Sequence, residues 1–239
     1  MKNLRHFLVI FLAFGITFCA EGQIRRTVYG NNHVVKKVRE AGQFTGIRVS
    51  SGIDVYLKQT GSESITVEAD ENLHEYIVTE IRGGVLNVYS DANIREAEMK
   101  RVYVTMRDIT SLKTSSAGDL IGESPVTADV LELSASSAGD IKLELKAKKV
   151  DIDISSSGDM TLSGEADMLE ASLSSAGDLN AYGLTVKEAD ISVSSAGDAD
   201  ITVTERLKAR ASSAGDINYR GDPKYIDAHS SSAGGIHRK

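Results

Sequence analysis

A pentapeptide that ends in a carboxylate recurs along the second half of the chain. Ser-Ser-Ala-Gly-Asp or Ser-Ser-Ser-Gly-Asp closes on six aspartates, 18 to 21 residues apart, and a further copy closes on Gly235. Glycine adopts backbone conformations that strain other residues, and Ser and Asp hydrogen-bond to nearby backbone groups. We therefore predict a repeated structural turn, formed by Gly118, Gly139, Gly158, Gly177, Gly197 and Gly215 with Asp119, Asp140, Asp159, Asp178, Asp198 and Asp216.

The aspartates form one column if the turns stack. Carboxylates about 4.8 Å apart repel by roughly 1 kcal/mol per neighbouring pair even in water. Backbone N–H groups, serine hydroxyls or splaying into solvent would relieve the repulsion, and bound Ca²⁺ would do so too. Calcium-binding solenoid repeats use a glycine-rich nonapeptide, about half the period seen here. We therefore predict no metal site and no cofactor, with calcium binding as the alternative.

Residue types that serve catalysis lack the necessary spacing. The chain has no Gly-x-Ser-x-Gly elbow, and many equivalent serine pairs are the opposite of one activated nucleophile. Acidic pairs such as Asp151 and Asp153 leave a polysaccharide-active enzyme as an alternative, but we predict no catalytic residue. The histidines after the leader are scattered without metal-ligand spacing, and we expect each at the surface: His33, His74, His229 and His237.

Two tyrosines are candidate ligand contacts. Tyr56 and Tyr103 each lie between two aliphatic residues, so the alternation of a strand directs both rings outward. Exposed tyrosine rings stack on sugars or peptides, although strands also favour tyrosine for packing. We therefore hypothesise that this pair binds a ligand.

Apolar residues alternate with polar ones between the turns, which indicates strands with one buried face. A unit of about 19–20 residues with two short strands cannot bury that face alone, so it must stack on its neighbours at the strand spacing of about 4.8 Å. The pattern predicts an all-β fold, a single-chain parallel β-solenoid (a β-helix). We take it as right-handed from the chirality of parallel crossovers.

Four segments follow from this pattern. Residues 1–22 are a signal peptide and residues 23–43 a linker or N-terminal cap. Residues 44–110 are irregular N-terminal β coils, with a degenerate copy of the turn at Ser51–Asp54 and a helical turn around Asp70–Ile77. Residues 111–239 are the regular repeats, continuous with those coils. Residues 44–239 together predict about ten coils and a rod about 50 Å long.

The leader predicts export. It has a charged start and an apolar run from Phe7 to Phe18 that is shorter than a typical transmembrane helix. We expect cleavage before Gln23. A lipid anchor at Cys19 is the less favoured alternative, because Phe18 occupies a position that normally carries a small residue. No second long apolar stretch follows, so we expect a mature chain without a transmembrane segment in the periplasm, at the outer-membrane surface or outside the cell.

The composition argues against some partners. The chain has 239 residues and a formal net charge of −7. Nucleic acid is bound through an excess of Lys and Arg, so we expect no nucleic-acid partner. Cys19 is the only cysteine, so the mature chain would form no disulfide.

The chain resembles a known family. Phe44–Val49, Gly52–Leu57 and Val67–Leu73, followed by the pentapeptide series, are similar to the head GIN domain family of auto-transporter-like adhesins over residues 44–239. The resemblance implies an exported β-solenoid, and it carries no established catalytic or binding residues. No membrane translocator follows the repeats, so we expect this chain not to be a complete auto-transporter.

We expect an exported, non-enzymatic, adhesin-like protein that binds a glycan or a protein at the cell envelope. A purely structural envelope protein is a second alternative beside the enzyme. Ile236 lies close to the C-terminus and no cap follows it in this sequence. Because an uncovered coil exposes unpaired backbone and apolar groups, we also expect a homodimer or homotrimer through coil ends.

Overall fold

The computed structural model describes residues 26–239, so the signal peptide, its cleavage site and Cys19 lie outside the described residues. About 67% of the described chain is β-strand, and one short 3₁₀ helix, Glu71–Leu73, lies at the predicted helical turn. The strands of the N-terminal part are β1 (Thr27–Tyr29), β2 (Val34–Arg39), β3 (Gly46–Val49), β4 (Asp54–Gln59), β5 (Ser64–Asp70), β6 (Ile77–Arg82), β7 (Val85–Ser90), β8 (Asn93–Glu96) and β9 (Lys100–Met106). The strands of the repeats are β10 (Ser111–Thr114), β11 (Asp119–Gly122), β12 (Val126–Ser136), β13 (Asp140–Ser155), β14 (Asp159–Leu173), β15 (Asp178–Val193), β16 (Asp198–Ala211), β17 (Asp216–Arg220), β18 (Tyr225–Ser230) and β19 (Gly235–Arg238).

The repeats stack as a parallel β-solenoid of about seven turns, with coils of about 19 residues, which confirms the predicted fold. Equivalent residues of successive coils are direct partners: Ile141 pairs with Met160, Met160 with Leu179, Leu179 with Ala199 and Ala199 with Ile217. All five of these side chains are buried. The aliphatic rows therefore fill one continuous interior.

The shape of a coil differs from the prediction of two short strands. In the middle of the solenoid each coil is one long strand, such as the 16 residues of β13, and the pentapeptide is its only break. Hydrogen bonding to the neighbouring coils continues through the bends, with local register shifts such as the one between Thr161 and Ser163. A strand can bend in this way without ending because both of its edges are paired.

The pentapeptide folds into a tight corner with the geometry of a type I′ turn. Ser116 and Ala117 have φ of 51° and 56°, and the Gly118 N–H donates to the Ser115 carbonyl at 3.0 Å. The residues before the glycine, not the glycine itself, therefore adopt the left-handed conformation. The prediction that the glycine itself adopts this conformation was wrong.

A ladder of backbone hydrogen bonds offsets the strain of these corners. Left-handed backbone costs a residue with a side chain about 1–2 kcal/mol. The Ala117 N–H donates to the Ser137 carbonyl of the next coil at 3.1 Å. The same bond recurs at the next five corners, from Ala138, Ser157, Ala176, Ala196 and Ala214 to Ser156, Ser175, Ser195, Ser213 and Ser232.

The glycine is required because the coils approach each other closely at the corner. A Cβ on Gly158 would lie 2.6 Å from the carbonyl carbon of Ala135, and one on Gly139 would lie 2.7 Å from the Ser115 nitrogen. In the earlier turn, Gly52 has φ of 61° and Ile53 takes the inward position. Asp54 pairs with Asp119, which confirms Ser51–Asp54 as a copy of the turn.

The N-terminal segment differs from the parallel coils predicted for residues 44–110. β3 and β4 do form a coil, parallel to β10 and β11 on one side and to β7 and β9 on the other. However, β5 is antiparallel to β2 and β9, and β6 is antiparallel to β7. Gly83 and Gly84, with φ of 58° and 78°, form the two-residue loop of a hairpin and reverse the chain. The structure therefore has about seven turns and not ten.

We name β1, β2, β5, β6, β8 and the 3₁₀ helix the N-terminal cap. Its strands and helix cover the first coil, and its own residues Ile65, Leu73 and Ile77 are buried against that coil. β2 lies within residues 23–43 and pairs with β5. The cap thus closes one end of the aliphatic interior.

We expect Gly158→Ala to destabilise the fold by about 1–3 kcal/mol, because the new methyl group would overlap the backbone of the preceding coil. Thermal unfolding should show a Tm lower by several degrees. Gly61→Ala is the matched control, since nothing lies within 4 Å of its Cβ position. Equal Tm values for the two variants would contradict the close approach.

Candidate functional site

The aspartates of the turns stack as one column. Each is the direct partner of the next, and Asp54 adds a seventh carboxylate to the six found from the sequence. Burial, together with the neighbouring carboxylates, raises the pKa of Asp119, Asp159, Asp178 and Asp198. The Asp198 N–H donates to Asp178 Oδ1 at 3.2 Å, so a backbone donor relieves part of the repulsion.

The column has no cluster suited to a metal ion. Within residues 26–239, no three or more His, Cys, Asp or Glu side chains converge in such an arrangement. The carboxylates lie side by side along the solenoid and do not surround a common point.

Tyr56 and Tyr103 lie side by side on adjacent strands, as a stacked pair. Their ring centroids are 5.3 Å apart and the rings are inclined by 26°. Lys36 Nζ lies 5.2 Å from the centroid of Tyr103, and the Arg101 guanidinium lies 5.5 Å from that of Tyr56. The Tyr103 hydroxyl donates to Glu68 at 2.8 Å, and this bond raises the pKa of Tyr103. Much of the pair is thus engaged within the chain, and its role in ligand binding stays a prediction.

The carboxylates considered for catalysis lie on a face built of ion pairs. Lys149 Nζ lies 2.9 Å from Asp151 and 3.0 Å from Glu170. Lys208 Nζ lies 2.5 Å from Asp190 in the same way. The pair of Lys149 with Asp151 lies within one coil, whereas those of Lys149 with Glu170 and of Lys208 with Asp190 join neighbouring coils. This arrangement is typical of the solvent-exposed face of a β-sheet.

A groove runs along the solenoid beside the corners, and the sequence analysis did not find it. It encloses about 730 Å³, within the usual range of ligand sites. Two polar rows line it, one from the first serine of each pentapeptide and one from the residues two positions earlier, and an apolar row runs between them: Ile154, Leu173, Val193 and Ala211. We name it the serine groove, with the rows Ser155, Ser174, Ser194, Ser212 and Ser231, and Asp153, Ser172, Ser192, Arg210 and His229.

The groove crosses five coils and therefore extends about 19 Å along the solenoid. Asp153 lies at one end, and Arg210 and His229 lie at the other. Among the described residues, no side-chain partner engages the hydroxyls of Ser172 and Ser192. Each serine hydroxyl can donate one hydrogen bond and accept others. The groove can therefore bind an extended polar ligand through a regular series of hydroxyl groups.

His229 is the one histidine that lines the groove among the described residues. His229 is oriented by Asp227, with Nδ1 3.0 Å from Oδ1, but its side chain is 73% exposed. Within residues 26–239, no serine hydroxyl forms a hydrogen bond with His229. Serine activation needs such a contact between nucleophile and base.

The sequence carried a signal for the groove. In Ser172-Leu173-Ser174 and Ser192-Val193-Ser194, a buried aliphatic residue separates two serines. On a strand this spacing directs both hydroxyls outward on the same side. Our prediction assigns the serines to the turn alone and does not include the neighbouring row.

One histidine does not lie where it was expected. His74 is only 5% exposed, and its Nε2 lies 3.1 Å from the Val35 carbonyl. Burial lowers its pKa. The expectation of a surface histidine was wrong because the chain reversal at β5 places β2 over this residue.

The chain belongs to the family described as "Putative auto-transporter adhesin, head GIN domain", whose model matches residues 43–223. No match was found among curated proteins. Residues 26–239 contain no helix that is long and apolar enough to cross a membrane.

Solved structures share the fold over nearly the whole chain. A "putative adhesin" from Bacteroides fragilis has a TM-score of 0.81 at 18% identity, covering 89% of this chain and 100% of its own. A "putative adhesin" from Parabacteroides distasonis has a TM-score of 0.73 at 25% identity, with coverages of 89% and 100%. A "putative lipid binding protein" from the same species has 0.73 at 21% identity, with coverages of 90% and 100%.

We expect Asp198→Asn to raise the Tm at pH 7 by a few degrees. The substitution keeps an acceptor but removes repulsion of up to about 1 kcal/mol per neighbour, which salt screens. The folded pKa of Asp198 is raised, so its ionisation costs stability as the pH rises past the ordinary aspartate value. The gain should therefore vanish in acid, where the wild-type side chain is protonated.

Asp167→Asn is the control for this experiment. Lys187 lowers the pKa of Asp167, so here the charge is favourable and its removal should lower the Tm at pH 7. Shifts of the same sign in both variants, or an Asp198→Asn gain that persists in acid, would contradict the electrostatic explanation.

Proposed function

We propose that this protein is an exported, non-enzymatic, adhesin-like protein that binds an extended glycan in the serine groove at the cell envelope. The observation that carries the proposal is the series of hydroxyls repeated in register along the groove. A polysaccharide is itself a linear array of hydroxyl groups, so a periodic surface can meet several of its units with the same contact. Family membership supports a binding role.

The proposal includes the signal peptide over residues 1–22 and the export that it would direct. Tyr56 and Tyr103 are a second candidate contact on the N-terminal part of the solenoid. Self-association through a coil end is also part of the proposal, since it would give the binding surface more than one copy. A peptide ligand and the lipid named for one structural neighbour are outcomes that the experiment below can distinguish.

The enzymatic alternative has less support. A polysaccharide-active enzyme needs an acid whose pKa is adjusted to protonate the leaving group. Asp151, Glu170 and Asp190 form ion pairs with Lys149 and Lys208, and the aspartates whose pKa is raised lie in the column, outside the serine groove. Release of reducing ends from a polysaccharide, abolished by Asp153→Asn, would favour the enzyme and overturn the proposal.

Binding can be tested on an array of neutral and acidic oligosaccharides, with phospholipid vesicles and an extended peptide set as further arms. We expect glycan binding, and Ser192→Ala combined with Ser194→Ala should weaken it about tenfold, since two hydroxyl contacts contribute roughly 1–2 kcal/mol. Isothermal titration on the oligosaccharides that bind gives the dissociation constants.

Thr161→Ala combined with Asn180→Ala is the matched control, because these residues are direct partners on a face away from the serine groove. This variant should bind normally. Unchanged binding in the serine variant, or binding to vesicles alone, would contradict the groove. Loss of binding only in Tyr56→Ala combined with Tyr103→Ala would move the site to the tyrosine pair.

A further inference from the structure

The last coil of the described chain has an open side. β18 pairs with β16 and β19 pairs with β17, and no described residue covers the other edge of either strand. Ile226 continues the row that includes Leu207, which is fully buried, yet Ile226 is 50% exposed. Tyr225 beside it is 64% exposed. An interior row thus reaches solvent at this end.

The opposite end of the solenoid is closed. The N-terminal cap buries Leu73 and Ile77, and the edge strand β2 carries Lys36 and Lys37, which discourage pairing with another strand. We name the end formed by β18 and β19 the tail and the end formed by the N-terminal cap the head. A head-to-tail contact would place an apolar coil against a charged cap. A tail-to-tail contact would cover the exposed interiors of two chains with one interface.

The backbone of β18 suits an identical partner. The Ser231 N–H donates to the Ala211 carbonyl of the preceding coil at 3.0 Å. Successive residues of a strand direct their N–H and C=O groups to opposite sides. Because the Ser231 N–H points to the preceding coil, the backbone N–H and C=O groups of Ile226, Ala228 and Ser230 point to the open side. An antiparallel copy centred on Ala228 would pair Ala228 with its own equivalent and Ile226 with Ser230.

The same register places a carboxylate opposite an imidazole that can donate a hydrogen bond to it. It places Asp227 opposite His229 of the second copy, twice, as a non-hydrogen-bonded pair with Cα atoms about 4.5 Å apart. Within one chain, Asp227 already lies 3.0 Å from His229 and 3.8 Å from Arg210. The second copy would thus extend an existing ion-pair cluster and would add no unpaired charge.

We propose that two copies of this chain associate tail to tail, through antiparallel pairing of β18 about a two-fold axis at Ala228. This contact closes at two chains and so gives a dimer and not a trimer. The dimer does not depend on the ligand. If the serine groove binds glycan as proposed, the dimer presents two grooves, and binding to a dense surface gains from their linkage.

Sedimentation velocity of the exported chain, which we expect to begin at Gln23, tests the proposal. The wild type should sediment with the mass of two chains. Ala228→Pro should sediment as a monomer, because proline removes a donor from the open edge and leaves the bonds to β16 in place. Circular dichroism and thermal unfolding should show that this variant remains folded.

Val38→Lys is the control, since Val38 is 79% exposed on the opposite edge. It should remain a dimer, and so should Ser192→Ala combined with Ser194→Ala, even if that variant no longer binds glycan. As an independent measurement, Ala228→Cys should form a disulfide-linked dimer, because Cα atoms about 5.5 Å apart in a hydrogen-bonded pair suit that bond.

A wild-type monomer at high micromolar concentration, or a trimer, would overturn the proposal. Association that persists in folded Ala228→Pro but is lost in Val38→Lys would also overturn it, because the contact would then lie at the N-terminal cap. Each of these outcomes leaves the proposal for the serine groove standing, so the two can fail separately.

Discussion

The close contact between successive coils at the corner constrains the rest of this structure. There the backbone of one coil approaches the next so closely that only glycine fits at Gly158. The two residues before it take a strained left-handed conformation, and the hydrogen bond from one corner to the next offsets that strain. Because every corner is tied to its neighbours, the coils stack in register, and both the aliphatic rows and the surface rows follow from that register.

The surface rows show three electrostatic arrangements at the same stacking distance. Along one bend, Asp129, Lys148, Asp167 and Lys187 alternate in sign from coil to coil, and Lys148 and Lys187 lie 2.8 Å and 2.7 Å from their partners. The aspartate column instead repeats one sign and is relieved in part by backbone donors. The serine groove repeats neutral hydroxyls, which can stack at this distance without repulsion. A repeat fold thus turns one residue choice into an extended surface, which suits the binding role of an adhesin family.

Much of the fold could be predicted from the sequence, because stacking repeats the same requirement at a constant interval. The alternation that places Ile141 and Leu179 inside was visible without coordinates, and so was the earlier turn at Ser51–Asp54. The cap was not predicted, since alternation is the same in parallel and antiparallel strands. Its reversal depends on the pair Gly83-Gly84, whose hairpin signal was overlooked. The spacing of Ser172 and Ser174 indicates two rows of hydroxyls, but the concave surface between the rows arises from the angle between strand and corner, which residue types do not encode.

Amide hydrogen exchange at the corners tests the account most directly. The amides of Ala138, Ala176 and Ala196 lie in tight surface turns, where an isolated hairpin would leave this N–H open to solvent. Stacking in register predicts that they exchange as slowly as amides in the middle of β14 and β15, since each donates to the next coil. Exchange at the rate of an unprotected loop would contradict the corner ladder and the stacked solenoid built on it.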